Sequence, residues 1–180
     1  MLFRLPKQPN RIIINGEVWI APTAVIIGGI KIDNQSRIGY NSVLRGDLNQ
    51  ISIGCLTSID DECYIETGIN SGVTIGNGVK IGYNVTLNCC LIQDGVFIGD
   101  GAIVQKGACI EEDSIIKPGT IIYEGQHIPA RAIVEGSPAS VSRYLTNEEI
   151  SQKQKYWHNL ENRLLNYYEA TKNKDQVMAL

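Results

Sequence analysis

Any chemistry in this 180-residue chain must come from a short inventory: two histidines (His127 and His158), five cysteines and a few clustered acids. The cysteines Cys55, Cys63, Cys89, Cys90 and Cys109 are odd in number and lack CxxC spacing, which predicts small buried thiols in a reducing compartment. Cys89 and Cys90, next to Asn88, are the pair that could bring thiolates to a metal. A catalytic zinc needs three strong nitrogen, sulfur or carboxylate donors and an open position for water, whose pKa must fall to about 7 to give hydroxide near neutral pH. Two histidines, one late in the repetitive part of the chain and one in the helical tail, cannot supply three imidazoles. His127, in GQHIP, is the one candidate for a general base of the kind acyl transfer uses. Charged residues gather at Arg45-Gly46-Asp47, Asp60-Asp61 and Glu66.

A strict repeat must position these side chains. Aliphatic residues recur every sixth position at Ile92, Ile98, Val104, Ile110, Ile116, Ile122, Ile128 and Val134. Earlier runs read Ile20, Ile26, Ile32, Ile38, Leu44, then Ile53, Ile59, Ile65, then Ile75, Ile81, Leu87. A helix has period 3.6 and an ordinary strand period 2. A period of six instead predicts an all-β, left-handed parallel β-helix of hexapeptide repeats, with three hexads to a triangular coil and about six to seven coils in all. Small residues four places after many aliphatics (Ala24, Ser42, Ala102, Ala108, Ser114, Thr120, Ala132) suit tight corners. Glycines directly after them, such as Gly39 and Gly82, suit a turn with little room for a side chain. The beat jumps from Leu44 to Ile53 and from Ile65 to Ile75, and Glu66–Gly72 is expected to loop out.

This divides the chain into an N-terminal lead-in segment 1–19, a β-helix domain 20–143 and a C-terminal helix and tail 144–180. Thr146-Asn147-Glu148-Glu149 is a capping box, and Ile150, Trp157 and Leu164 form one stripe of the helix it starts. With 43% hydrophobic and 19% charged residues the chain can bury a core. A net charge of −3 and the absence of a basic run with interleaved aromatics argue against nucleic acid. No stretch reaches the ~18 apolar residues of a membrane span. The first sixteen residues hold Arg4, Lys7 and Arg11 and no acid, a composition compatible with the remnant of a mitochondrial leader.

The stretch RIGYNSVLRGDLNQISIG (37–54), together with VKIGYNVTLNCCLI, PASVSRYLTNEEI and the helical tail, resembles the γ-class carbonic anhydrases over nearly the whole chain. The resemblance implies assembly as a trimer, with a zinc-like metal held by three histidines in each cleft between subunits, two from one subunit and one from its neighbour. Carried over residue by residue, the family's histidines are replaced by Glu66, Tyr83 and Asn88, and its pocket glutamine by Asp60. Arg45 and Asp47 match the family's charged pair near the cleft, and Asp61 matches a further acid. Glutamate can bind a metal, but amide and phenol oxygens are poor zinc ligands.

The resemblance therefore implies a catalytically inactive subunit with no catalytic residue and no metal or cofactor of its own. Zinc is expected only in a cleft formed by partner subunits. The setting it suggests is a heterotrimer with other γ-carbonic-anhydrase-like subunits, docked on membrane-arm subunits of respiratory complex I at the matrix side of the mitochondrial inner membrane. The alternatives are a soluble homotrimeric binding protein (in the cytoplasm) and a hexapeptide-repeat acyltransferase using His127.

Overall fold

A computed structural model describes residues 2–3, 12–153 and 155. Arg4, Lys7 and Arg11 lie outside these residues, as do His158 and the stripe positions Trp157 and Leu164. The chain divides into two compact units, Met1–Leu145 and Thr146–Leu180.

Unit 1 is a parallel β-solenoid of about seven turns. The hexad aliphatics form three inward columns. One contains Ile20, Ile38, Ile59, Ile81, Ile98, Ile116 and Val134. A second contains Ile26, Leu44, Ile65, Leu87, Val104 and Ile122. The third contains Ile32, Ile53, Ile75, Ile92, Ile110 and Ile128. Apart from half-buried Ile20, every member is at most 2% exposed. Burying one such side chain stabilises the fold by roughly 1.5–3 kcal/mol, but only when coils above and below cover it. The backbone follows the same logic: Gly39 N donates to Ile59 O at 2.8 Å, Asp60 N to Ile81 O at 2.9 Å and Gly82 N to Ile98 O at 2.8 Å, each reaching the next coil. An eight-stranded sheet carries the first column, and a twelve-stranded sheet carries the other two.

All departures from the beat fall at one corner, between the second and third columns. The first extra residues do not loop out. They lengthen one continuous strand, Val43–Ile53, which pairs with Val25–Ile32 through a register shift at Gly28/Ile30. The second insertion does protrude: Gly68 N donates to Ser71 O at 2.9 Å, leaving Ile69 77% exposed. A third departure, hidden in the sequence by the regular run that follows, is a deletion. Leu87 and Ile92 are five apart, and Cys89 turns the shortened corner at φ +44°.

The seven small corner residues are buried, at 0–1% exposure. The glycines after the aliphatics have a different physical reason from the one expected. Gly39 and Gly82 lack positive φ, and a Cβ there would sit 2.4 Å from Asp61 Oδ1 and 2.2 Å from Asp100 Oδ1. The next coil's carboxylate occupies the space in order to accept the amide of Tyr40 or Tyr83. Left-handed φ falls two residues later, at Asn41 and Asn84.

After Gly136–Ala139 the chain returns as an antiparallel strand, Ser140–Tyr144, against Ala132–Glu135. In unit 2, Thr146 N donates to Glu149 Oε2 at 2.9 Å and Glu149 N to Thr146 Oγ1 at 3.2 Å, the reciprocal bonds of a capping box starting the helix at 147.

Candidate functional site

The irregular corner gathers the polar residues. Arg45, Glu66 and Asn88 are register partners on successive coils, each directly after an inward aliphatic and so facing outward. The Asn88 amide donates from Nδ2 to Glu66 Oε1 at 2.8 Å, and the Tyr64 hydroxyl donates to Glu66 Oε2 at 3.0 Å. Arg45 Nε donates to Asp47 Oδ2 at 2.6 Å. Asp47 first, and the Tyr64 hydroxyl second, hold the Arg45 guanidinium above its ordinary value. Hydrogen bonds thus join Arg45 to Asp47, and join Tyr64, Glu66 and Asn88 to one another, on adjacent coils. Thr67 Oγ1 accepts Asn49 N at 3.1 Å and ties the two inserted segments together behind it.

This donor set does not fit zinc. Both Glu66 oxygens are engaged, and Asn88 turns its N–H rather than its oxygen toward the site. Tyr83 is 53% exposed in the turn after the strand Lys80–Ile81, on the other sheet from Glu66 and Asn88. Cys89 is buried, and burial raises its thiol above the usual range. Cys90 is a core residue whose thiol burial pushes up to about 12. Thiolate ligation at this corner would have to overcome that burial. Among the described residues, no three His, Cys, Asp or Glu side chains are grouped to hold a metal ion.

The remaining sequence candidates lie elsewhere. Asp61 accepts the Tyr40 amide at 2.8 Å, in a turn, and does not join the Arg45–Asp47 pair. Asp60, 3% exposed, forms ion pairs with Arg37 and Lys80 on the eight-stranded sheet. His127 Nε2 meets Glu111 Oε1 at 2.9 Å, with 59% of the imidazole side chain exposed. Glu111 also accepts Ala130 N; that bond first, and His127 second, hold its carboxyl below the ordinary value. Sequence reasoning missed Tyr64, Arg37 and Lys80. Each stands one residue before an inward aliphatic (Ile65, Ile38, Ile81), so the repeat register, had it been extended to outward positions, marks all three.

No family model matches the chain. A probable carbonic anhydrase of Methanocaldococcus jannaschii is 39% identical over 137 residues, 76% of this chain and 86% of that protein. Mitochondrial gamma carbonic anhydrase 2 of Arabidopsis thaliana is 42% identical over 53 residues, 29% of this chain but only 19% of its own length. Among solved structures, a hexapeptide transferase family protein from Anaplasma phagocytophilum superposes with a TM-score of 0.80 at 33% identity, covering 87% of this chain and 92% of that one. With a hexad solenoid, the archaeal match along most of both chains and the shorter gamma-type plant match, the chain belongs to the γ-carbonic-anhydrase-like family of hexapeptide-repeat proteins.

Proposed function

We propose that this chain is a catalytically inactive, structural member of a γ-carbonic-anhydrase-like trimer, associating with related subunits in the mitochondrion. The observation that carries the reading is the closed state of Glu66, with one carboxylate oxygen bonded to Asn88 and the other to Tyr64. A metal would have to break both bonds and would then find an amide as the only other ligand from this chain, the third having to come from the neighbouring subunit. The Arg45–Asp47 pair beside it remains intact, as a role in assembly would require. The mitochondrial names of the plant relatives support the compartment. The finer setting is the matrix side of the inner membrane, against membrane-arm subunits of respiratory complex I. Among the described residues, no helix is long and apolar enough to cross a membrane, so contact with that arm would be through partners.

In a heterotrimer, Glu66 and Asn88 spoil one cleft and Tyr83 spoils the adjoining one, which leaves at most one metal per trimer, in the cleft this chain does not touch. The test is gentle affinity purification from the source cells, followed by metal analysis and a carbon dioxide hydration assay. Respiratory-chain subunits in the eluate, at most one zinc per trimer and a blank assay for the isolated chain are expected. Three zinc ions per trimer would refute the reading, and a clean homotrimer would move it to the soluble binding protein. Acyl transfer has the Anaplasma likeness in its favour, but His127 is held in an exposed pair with Glu111.

A further inference from the structure

A second polar centre lies on the eight-stranded sheet, away from the Glu66 network. Trp19, Arg37, Ser58, Lys80 and Phe97 are register partners on five successive coils. Neighbouring strands are about 4.8 Å apart, so the Arg37 and Lys80 backbones stand about 10 Å apart with Ser58 between them. Asp60 is the next outward residue on the Ser58 strand, and Gly39 and Gly82 occupy the equivalent places on the coils either side. It therefore reaches both cations without a neighbour in its own column. Arg37 Nη2 and the Ser58 hydroxyl donate to Asp60 Oδ1, and the Lys80 ammonium pairs with Oδ2. Arg37 Nε donates to Ser58 Oγ at 3.3 Å, and the Trp19 ring lies 6.0 Å from the guanidinium carbon.

The charges do not balance. Two cations with side chains 21% and 13% exposed share one carboxylate that is 5% exposed. Among the described residues, Asp60 is the only acid within ion-pair distance of either. A half-buried positive charge without its own counter-ion is costly, and proteins normally pair such charges. Burial, the largest influence on Lys80, holds its ammonium below the ordinary lysine value despite the opposite pull of Asp60. The ammonium has three N–H donors and spends one on Asp60, while the guanidinium has further donors beyond the two engaged. A guanidinium fork held by an aromatic ring, with an ammonium two strands away, is the donor set that recognises a carboxylate.

We propose that Arg37, Ser58 and Lys80, poised around Asp60, form a binding site for one carboxylate group. The group is either that of a small free acid or that of an acidic side chain on an adjoining subunit. Within the chain the site lies on a different sheet from Glu66, and it includes Asp60, which the resemblance places at the family's pocket glutamine.

The test titrates the purified full-length chain, in its native assembly state, with acetate at constant ionic strength made up with chloride. Backbone amide shifts of Arg37, Ser58 and Lys80 are followed by NMR. Saturable shifts at these residues are expected. Lys80→Met should weaken binding at least about tenfold, and Lys80→Arg, which keeps the charge, should largely retain it. Asp60→Asn raises the surplus from one charge to two and should tighten acetate about tenfold, since a unit charge at this range in a partly buried site is worth well over the 1.4 kcal/mol that requires. Saturable binding by the wild type is the deciding arm, because any cation pair deprived of its acid gains affinity for acetate. Sedimentation in the same titration separates the sources: a fall in mass identifies a neighbouring subunit's carboxylate displaced by acetate, and constant mass identifies a free acid. A response no greater than chloride gives, or an Asp60→Asn protein that binds no tighter, overturns the proposal.

Discussion

Raising the pH should unfold this protein through two thiols in its core. Cys63 and Cys90 take small-residue places in the inward stacks: Ser42 and Val85 flank the first, and Val73 and Ala108 the second, through the ladder bonds of their coils. They are 1% and 4% exposed. Burial pushes the Cys63 thiol from 9.0 to about 11 and the Cys90 thiol from 9.0 to about 12. An acid whose pKa rises on folding keeps a proton that the unfolded chain releases. Its stabilising contribution is whole below pH 9 and is lost as pH climbs toward the folded value. Each thiol loses about 1.4 kcal/mol per pH unit inside that window, so by pH 10.5 each has cost about 2 kcal/mol and the pair about 4 kcal/mol. Lys80 acts in the opposite direction, because a base with a lowered pKa gains stability as pH rises toward the ordinary lysine value. Burial, the largest influence on Lys80, is unchanged in the variants, while its smaller interaction with Cys63 is lost with that thiol. The assay is urea unfolding followed by circular dichroism from pH 8 to 10.5, under reductant and at fixed protein concentration. The Cys63→Ala/Cys90→Ala protein should start less stable because of its cavities but should lose far less stability with pH. If its curve runs parallel to the wild-type curve, the thiols are not buried as described and the reasoning fails.

Two other outcomes probe the stack and the altered site. Leu87→Ala removes a fully buried member of the second column at the shortened corner and should cost about 2–5 kcal/mol in urea unfolding, whereas Ile69→Ser on the protruding turn should stay within about 0.5 kcal/mol. Replacing Glu66, Tyr83 and Asn88 together with histidine should create zinc binding measurable by metal analysis of a self-assembled trimer. Glu66→His alone should not, because it leaves the phenol and the amide in place, and zinc retained by that single variant would contradict the ligand argument.

The sequence was most informative where one physical rule acts alone. Inward positions of a coil must be apolar and evenly spaced, so Ile20 to Val134 could be read as a stacked solenoid without coordinates, and Thr146 with Glu149 as a helix start. The assignment of Glu66, Tyr83 and Asn88 to the family's ligand positions rests on residue identities alone, and the triple histidine variant is its test. Tertiary structure decided what depends on contact between coils. The extra residues before Ile53 stay in one extended strand because Val43–Gly46 and Ile51–Ile53, on either side of them, both pair with Val25–Ile32, and the unpaired residues between are taken up as a register shift. Gly39 and Gly82 are glycine because a carboxylate from the next coil fills the space of a Cβ. Glu66 is closed by Asn88 from the next coil together with Tyr64 on its own strand, and Asp60 is claimed by Arg37 and Lys80 from the coils on either side. A hexad specifies which residues point outward. Which of them touch depends on coil lengths, and three irregular corners in succession make those lengths 21, 22 and 17 residues instead of 18, as the stacked pairs Ile38–Ile59, Ile59–Ile81 and Ile81–Ile98 record.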